Sequence, residues 1–243
     1  MASIASCEFK NFKIQLRGKS KKVTGISRAS RALSNIITSL KNLTVLDLGC
    51  GVGYMTIGAL LMGAQQVVAI DTENTKKLLL RNIKINHLNS RLVKFHKGDL
   101  YSPLQKEMKF DVIIANLPQH ALPATALAKK LPGKYGGYDG TDLVCRALTE
   151  GVYYLKRGGS YFGSISRLTN FRRTMALSNS LYEIKIHKTI SKTLNPNEMA
   201  PYITDARLLK HLMTLKKQRL IEYKINKHRQ VEYKVHLCEF ILR

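Results

Sequence analysis

The chain contains no tryptophan, only four cysteines and six prolines, and 16 acidic residues against 40 Lys+Arg. Each shortage excludes something. Cys7, Cys50, Cys145 and Cys238 are scattered without paired spacing, which points to reduced thiols rather than a disulfide framework or a zinc site. The seven histidines also lack metal-ligand spacing, so no metal is expected. No apolar run reaches the roughly 18 residues of a membrane span. The start, Met1-Ala2-Ser3-Ile4-Ala5-Ser6-Cys7, has no basic stretch followed by an apolar block, and no secretory signal is expected from it. Repeats and low-complexity tracts are absent. What remains is 243 residues, 44% of them apolar: enough for one well-cored domain with modest extensions.

The shortage of acid is uneven. Between Glu8 and Asp47 there is no acid at all but nine Lys/Arg. Residues 47–150 hold thirteen Lys/Arg and nine acids, and residues 151–243 hold eighteen and six. The net charge of +24 therefore lies mainly outside the middle of the chain. A field of this sign attracts a polyanion, either RNA or a ribosomal particle, or else an acidic protein. The acid-free 10–31 segment also has the composition of an organelle transit peptide. Its alternating Phe9, Phe12, Ile14 and Leu16 predict folded structure instead, and a cytoplasmic location.

Between these flanks, apolar strands alternate with amphipathic helices. Strands are predicted over 43–48, Gln66–Ile70, Arg91–His96, Phe110–Ala115 and Tyr161–Ser166. Helices are predicted over 27–41, Tyr54–Met62, 73–86 and about 141–156, the second stopped by Gly63 and the last by Gly158-Gly159. A long loop, 117–140, separates the fourth strand from the last of these helices. After residue 180 a strand at Glu183–Ile190, a helix at 204–217 and two strand segments within 219–242 follow. The alternation implies an α/β fold with a parallel sheet and helices on both faces. In such sheets ligands bind beyond the carboxyl ends of the strands.

Those ends carry the polar residues. The first strand runs into Asp47-Leu48-Gly49-Cys50-Gly51-Val52-Gly53. Its spacing is G-x-G-x-G rather than the G-x-G-x-x-G of dinucleotide folds, which suits a different nucleoside ligand approached closely by backbone. The second strand ends at Asp71-Thr72, where a carboxylate can accept both hydroxyls of a ribose. The third ends at Gly98-Asp99, where Asp99 can accept from an exocyclic amine. The fourth ends at Asn116-Leu117-Pro118-Gln119. There the Asn116 Oδ1 and the Leu117 carbonyl can both accept from an NH₂ group, on a loop stiffened by Pro118. Each acid also has a plain structural role open to it, as a helix cap or turn residue.

Together these residues resemble the class I S-adenosylmethionine-dependent methyltransferases over roughly 43–166, through the glycine segment, Asp71, Gly98-Asp99 and Phe110–Gln119. Asn116–Gln119 is similar to the N-P-P-Y signature of enzymes that methylate planar amino or amide nitrogens, the release-factor glutamine methyltransferases among them. Gly136-Gly137-Tyr138-Asp139-Gly140 resembles a segment of the same enzymes. Two positions depart from that pattern. Leu117 stands in place of a proline, and Gln119, which hydrogen-bonds rather than stacks, in place of an aromatic residue. Tyr135 and Tyr138 are alternative stacking groups, and His120 an alternative proton acceptor.

The resemblance implies a Rossmann-like seven-stranded sheet with its last strand antiparallel, and S-adenosylmethionine as cofactor. It implies cofactor contacts from Asp47, Gly49, Cys50, Gly51, Gly53, Asp71, Thr72, Asp99, Leu100 and Asn116, and an acceptor site at Asn116, Leu117, Pro118 and Gln119. Residues 1–41 would form a basic extension near the cofactor mouth. Residues 42–243 would form the methyltransferase domain, with 180–243 completing the sheet and placed to meet substrate. The expected activity is N-methylation of a macromolecule. A small-molecule methyltransferase and a non-catalytic cofactor- or RNA-binding protein are the alternatives.

Overall fold

The computed structural model describes residues 4–17, 26–123, 135–194, 198–200, 202, 205–228 and 230–243. Much of the predicted 117–140 loop, and residues 18–25 of the acid-free segment, lie outside the described residues.

Five apolar strands form the parallel part of the sheet: β3 (Thr44–Leu48), β4 (Gln66–Asp71), β5 (Val93–Lys97), β6 (Phe110–Ala115) and β7 (Leu155–Ser166). β8 (Tyr182–Thr193) and β10 (Val231–Leu242) extend it in the order β5-β4-β3-β6-β7-β10-β8. β10 runs antiparallel to both its neighbours, and the two-residue β9 (Lys224–Ile225) adds to it as a hairpin. This is the Rossmann-like seven-stranded sheet with its last strand antiparallel.

Alternate residues of each strand feed two cores. Val45, Val67, Val112 and Ile114 face α1 (Arg28–Ile36), α2 (Tyr54–Leu61), α3 (Lys76–Ile85) and α6 (Ala206–Lys217). Leu46, Val68, Ile70 and Ile113 join α4 (Asp142–Gly151) on the other face, where α5 (Phe171–Leu181) packs beside it. Because both faces are covered, the central strands read as nearly unbroken apolar runs rather than alternating ones.

Several predicted boundaries shift for local reasons. α1 stops at Ile36, five residues early, because the β-branched Ile37-Thr38 turns extended and Lys10 Nζ donates to the Ile37 carbonyl at the helix end. α3 begins at Lys76 because the Asp71 carboxylate takes the Glu73 N–H at 2.9 Å and holds 71–73 in a turn. Gly158-Gly159 does not end a helix. It lies inside β7 beside a register shift opposite Phe110/Val112. α5 is not predicted from the sequence: its fully buried residues are the polar Thr174 and Ser178, while its core-packed apolar residues Phe171 and Leu181 are only partly buried.

The alternation at Phe9–Leu16 resolves into a hairpin, β1 (Ile4–Phe9) and β2 (Phe12–Arg17), separate from the main sheet. Two asparagines of α3 hold it. Asn82 accepts from the Arg17 N–H at 2.7 Å and donates to the Val52 carbonyl at 2.8 Å; Asn86 exchanges two bonds with the Gln15 backbone. Phe9, fully buried, lies flat over Gly58 of α2, where even a Cβ would come within 2.0 Å of the ring. Phe9→Ala should therefore lower the unfolding free energy by about 3 kcal/mol in a urea titration. A loss below about 1 kcal/mol would show that the hairpin is not anchored through this ring.

A buried acid ties β3 to α2: Thr56 Oγ1 donates to Asp47 Oδ2 at 2.6 Å. Burial pushes the Asp47 carboxyl up to about 7; the Thr56 bond opposes the rise and the nearby Asp71 charge adds to it. The fold thus favours the protonated acid. Its contribution is complete below about pH 4 and is lost as the pH climbs towards 7. Asp47→Asn keeps the acceptor without the charge. At pH 8 it should be more stable than the parent by on the order of 2 kcal/mol, the difference closing below pH 4. A difference that does not change with pH would remove burial of the charge as its cause.

Candidate active site

Strand register brings the predicted residues to one edge. Leu48 pairs with Ile70 of β4 and with Ala115 of β6; Asp71 pairs with Lys97 of β5, and Ala115 with Gly163 of β7. The next residues along, Gly49, Asn116 and Ser164, therefore emerge side by side.

Beyond β3 the chain turns through Gly49, Gly51 and Gly53 at φ +74°, +52° and +91°, a left-handed run closed to other residue types without strain. The Gly49 and Cys50 N–H groups both donate to the Ile70 carbonyl, at 2.8 and 3.0 Å. The Gly51 N–H donates to Asp71 Oδ2 at 2.8 Å. Asp71 thus holds the glycine turn with one oxygen and its own turn with the other, and each oxygen keeps a lone pair for a ligand. Cys50 is buried, its Sγ 3.8 Å from Thr75 Oγ1, and burial raises its thiol well above the ordinary range. Thr72 is exposed beside the same mouth.

Asp99 lies one strand further out. Its carboxylate is about half exposed and meets Arg146 of α4 at 2.9 Å. Leu100, buried, holds a left-handed φ of +48°, a backbone state rare for a branched side chain and common at ligand sites. Asp47 is set one layer below, where its carboxylate meets Thr56.

On the loop after β6, Leu117 is buried, with Cδ2 3.5 Å from where a Gly49 Cβ would sit, so its side chain borders the glycine turn. The Asn116 amide is held at three points. Nδ2 donates to Ser27 Oγ at 3.0 Å and to Ser30 Oγ at 2.7 Å, and Oδ1 accepts from Ser164 Oγ at 2.7 Å. One Oδ1 lone pair is left over. Gln119 turns to β7: Nε2 donates to the Ser164 carbonyl at 2.6 Å, and Oε1 accepts from the Ser166 N–H at 2.9 Å. Its amide thereby acts as a short stand-in for a strand.

The alternatives weighed for this loop also have definite places. His120 Nδ1 lies 3.3 Å from the buried Tyr202 hydroxyl, and the backbones of His120 and Tyr135 form a bridge. The Tyr138 ring packs edge-on to His211 at 4.5 Å. Asp139 is a hub, accepting from the Thr141 hydroxyl at 2.5 Å and from Asn170 at 3.0 Å, with Arg173 at 3.4 Å. Burial alone would raise this carboxyl. The bonds from Thr141 and Asn170 and the Arg173 charge outweigh it and hold it below the ordinary carboxylate range. No group of three or more candidate metal ligands occurs among the described residues.

Ser27, Ser30 and Ser164 were not singled out from the sequence. Ser27 has a local signal as the cap of α1, where its hydroxyl accepts from the Ser30 N–H. Nothing local marks Ser164, because its role exists only once β7 lies beside β6. Chemically, the edge combines a backbone cradle with a carboxylate at ribose-binding depth, next to a rigid amide able to accept from an N–H. A nucleoside-bearing cofactor fits the cradle, and a polar acceptor fits the loop.

The chain is similar to known proteins. Residues 29–131 match the family model for ribosomal protein L11 methyltransferase. The chain is similar to a putative protein N5-glutamine methyltransferase of Methanocaldococcus jannaschii: 33% identical over 149 residues, covering 59% of this chain and 71% of that protein. It is 37% identical over 103 residues to a ribosomal protein L11 methyltransferase of Agathobacter rectalis, of which it spans only 31%. Among solved structures, the fold matches the Thermus thermophilus 16S rRNA N2 G1207 methyltransferase, determined with AdoMet and guanosine. The TM-score is 0.58 at 16% identity, over 99% of this chain and 50% of that one. With the archaeal relative 33% identical and covered over more than two thirds of its length, the chain belongs to the class I S-adenosylmethionine-dependent methyltransferases.

Proposed function

We propose that this protein transfers a methyl group from S-adenosylmethionine to a nitrogen of a macromolecule, an RNA or ribosomal component or a protein amide. The observation that carries the reading is the pairing of Leu48 with Ala115, which puts the acceptor loop and the glycine turn at one mouth. In this reading the glycine turn and Asp71 hold the nucleoside, Asp99 and Leu100 its base, and Asp47 lies beneath. Thr72 and Cys50 line the approach. When bound, the cofactor supplies an electrophilic methyl group on a sulfonium, so the leaving group is already built in.

The work of the chain is then positioning. The remaining Asn116 Oδ1 lone pair and the Leu117 carbonyl would accept from the acceptor's N–H groups and aim the nitrogen lone pair inward. They would also favour the positive charge that grows on it. Ser27, Ser30 and Ser164 keep the Asn116 amide from rotating, and Gln119 keeps its loop on β7. The basic flanks supply affinity for a large anionic partner. A cytoplasmic setting, and the division into a basic extension at 1–41 and a catalytic domain at 42–243, belong to the same reading.

Asp71→Ala should abolish the thermal stabilisation given by S-adenosylmethionine; a full stabilisation in that variant would overturn the ribose assignment. Asn116→Ala should keep that stabilisation while methyl transfer to labelled cell extract falls on the order of 100-fold. Unchanged transfer would refute the positioning role. The polymer that takes up label from radioactive S-adenosylmethionine identifies the acceptor class.

A further inference from the structure

The acid-poor part of the sequence folds into one continuous surface. The β1–β2 hairpin docks along α3 through Asn82 and Asn86, and α1 packs against β1. Residues 4–17, 26–40 and 76–88 together carry nine Lys/Arg and one acid, Glu8. Ten ion pairs occur among the described residues, and none uses any of these nine cations. Several arginines elsewhere are paired with acids: Arg146 with Asp99 and Glu150, Arg167 with Glu222, Arg173 with Asp139 and Asp142. What sets this surface apart is that its nine unpaired cations share it with a single acid.

The surface has shape as well as charge. A cleft of about 470 Å³ opens between the hairpin and α1, walled by Lys10, Lys13, Arg31, Ser34 and Asn35, with Glu8 on its rim. Lys77, Arg81 and Lys84 follow one exposed stripe of α3. At the hairpin tip, between Lys10 and Lys13, the Phe12 ring is 37% exposed. An aromatic ring flanked by cations is a platform on which an unpaired base can stack. The surface also leads into the candidate active site. Arg28 and Arg31 lie on the same first turns of α1 whose Ser27 and Ser30 hydroxyls hold Asn116.

We propose that this hairpin–α1–α3 face binds single-stranded RNA, its phosphates along Lys13, Arg31, Lys77, Arg81 and Lys84 and a base on Phe12, and so delivers the strand to the Asn116 loop. The delivery rests on the methyltransferase reading above; the binding does not. RNA is favoured over an acidic protein because the cations are spread along a track rather than gathered around an apolar anchor, and the exposed Phe12 ring stands between two of them.

The test uses the full chain and a fluorescent 20-nucleotide single-stranded RNA, with affinity read by anisotropy at several salt concentrations. Lys13→Glu/Arg31→Glu/Arg81→Glu should weaken binding at least tenfold and flatten the dependence of log K on log salt by roughly 0.7 per lost phosphate contact. Phe12→Ala should cost roughly fivefold with the salt slope unchanged. Lys106→Glu/Arg157→Glu/Lys188→Glu makes the same charge change among unpaired cations outside this face, and should stay within about twofold of the parent. The proposal fails if the two triple variants weaken binding alike, or if the first does not weaken it. It also fails if polyglutamate displaces the parent as effectively as RNA, which would make the partner an acidic protein. Stabilisation by S-adenosylmethionine, measured on each variant, should be unchanged. Failure of the methyltransferase reading would show there, in the parent itself, and not in the anisotropy.

Discussion

The pairing of Leu48 with Ile70 on one side and Ala115 on the other sets the level at which three strands end, and every later feature depends on it. With that register, Gly49, Asp71 and Asn116 leave the sheet together. A slip of one residue in β6 would turn Ile113 and Ile114 to the wrong cores and carry Asn116 away from the glycine turn. The apolar residues of the central strands therefore act on the site at a distance. They are buried on both faces, so only one register satisfies both cores.

Onto this frame the smaller parts are fastened by polar side chains rather than by apolar packing alone. Asn82 joins the hairpin to the backbone just behind the glycine turn, Asp47 joins β3 to α2, and Asn116 joins β6 to α1 and β7. A half-buried amide with all its protons engaged has few other orientations available, and its hydrogen bonds gain strength where water is scarce. The two departures from the family signature fit the same scheme. Leu117 fills the space against Gly49. Gln119 uses its amide to complete the edge of β7, so the loop is held by hydrogen bonds to backbone in the place where an aromatic ring would otherwise stand.

The charge has a comparable division of labour. Most of the acids in ion pairs come after residue 97, where they restrain arginines around the loop and α4–α5. The hairpin, α1 and α3 keep their cations unpaired. Such a distribution costs little in stability, since exposed lysines and arginines are well hydrated, and it leaves a directed field for an incoming polyanion.

Much of this was legible in the sequence, because its signals are local. Alternating strand and helix periods identified the parallel sheet. The glycine spacing marked the turn after β3, and polar residues at four strand ends marked the edge where ligands bind. The Phe9–Leu16 alternation marked folded structure without showing where the hairpin docks. α5 escaped notice because its fully buried positions are Thr174 and Ser178, with apolar Phe171 and Leu181 only partly buried at its ends. The partners of Asn116 escaped because Ser27 and Ser164 lie 89 and 48 residues away; one reaches it from the start of α1, the other across the paired β6 and β7. By itself, then, the sequence determined the fold class, the glycine turn after β3 and the sign of the net charge, all of which follow from composition or from residues within a few positions of one another. Tertiary structure alone decided that Gln119 bonds to β7, that Asn116 is locked by three serines, and that the hairpin, α1 and α3 bring nine unpaired cations together. Those facts rest on contacts between distant segments, which strand register and packing create.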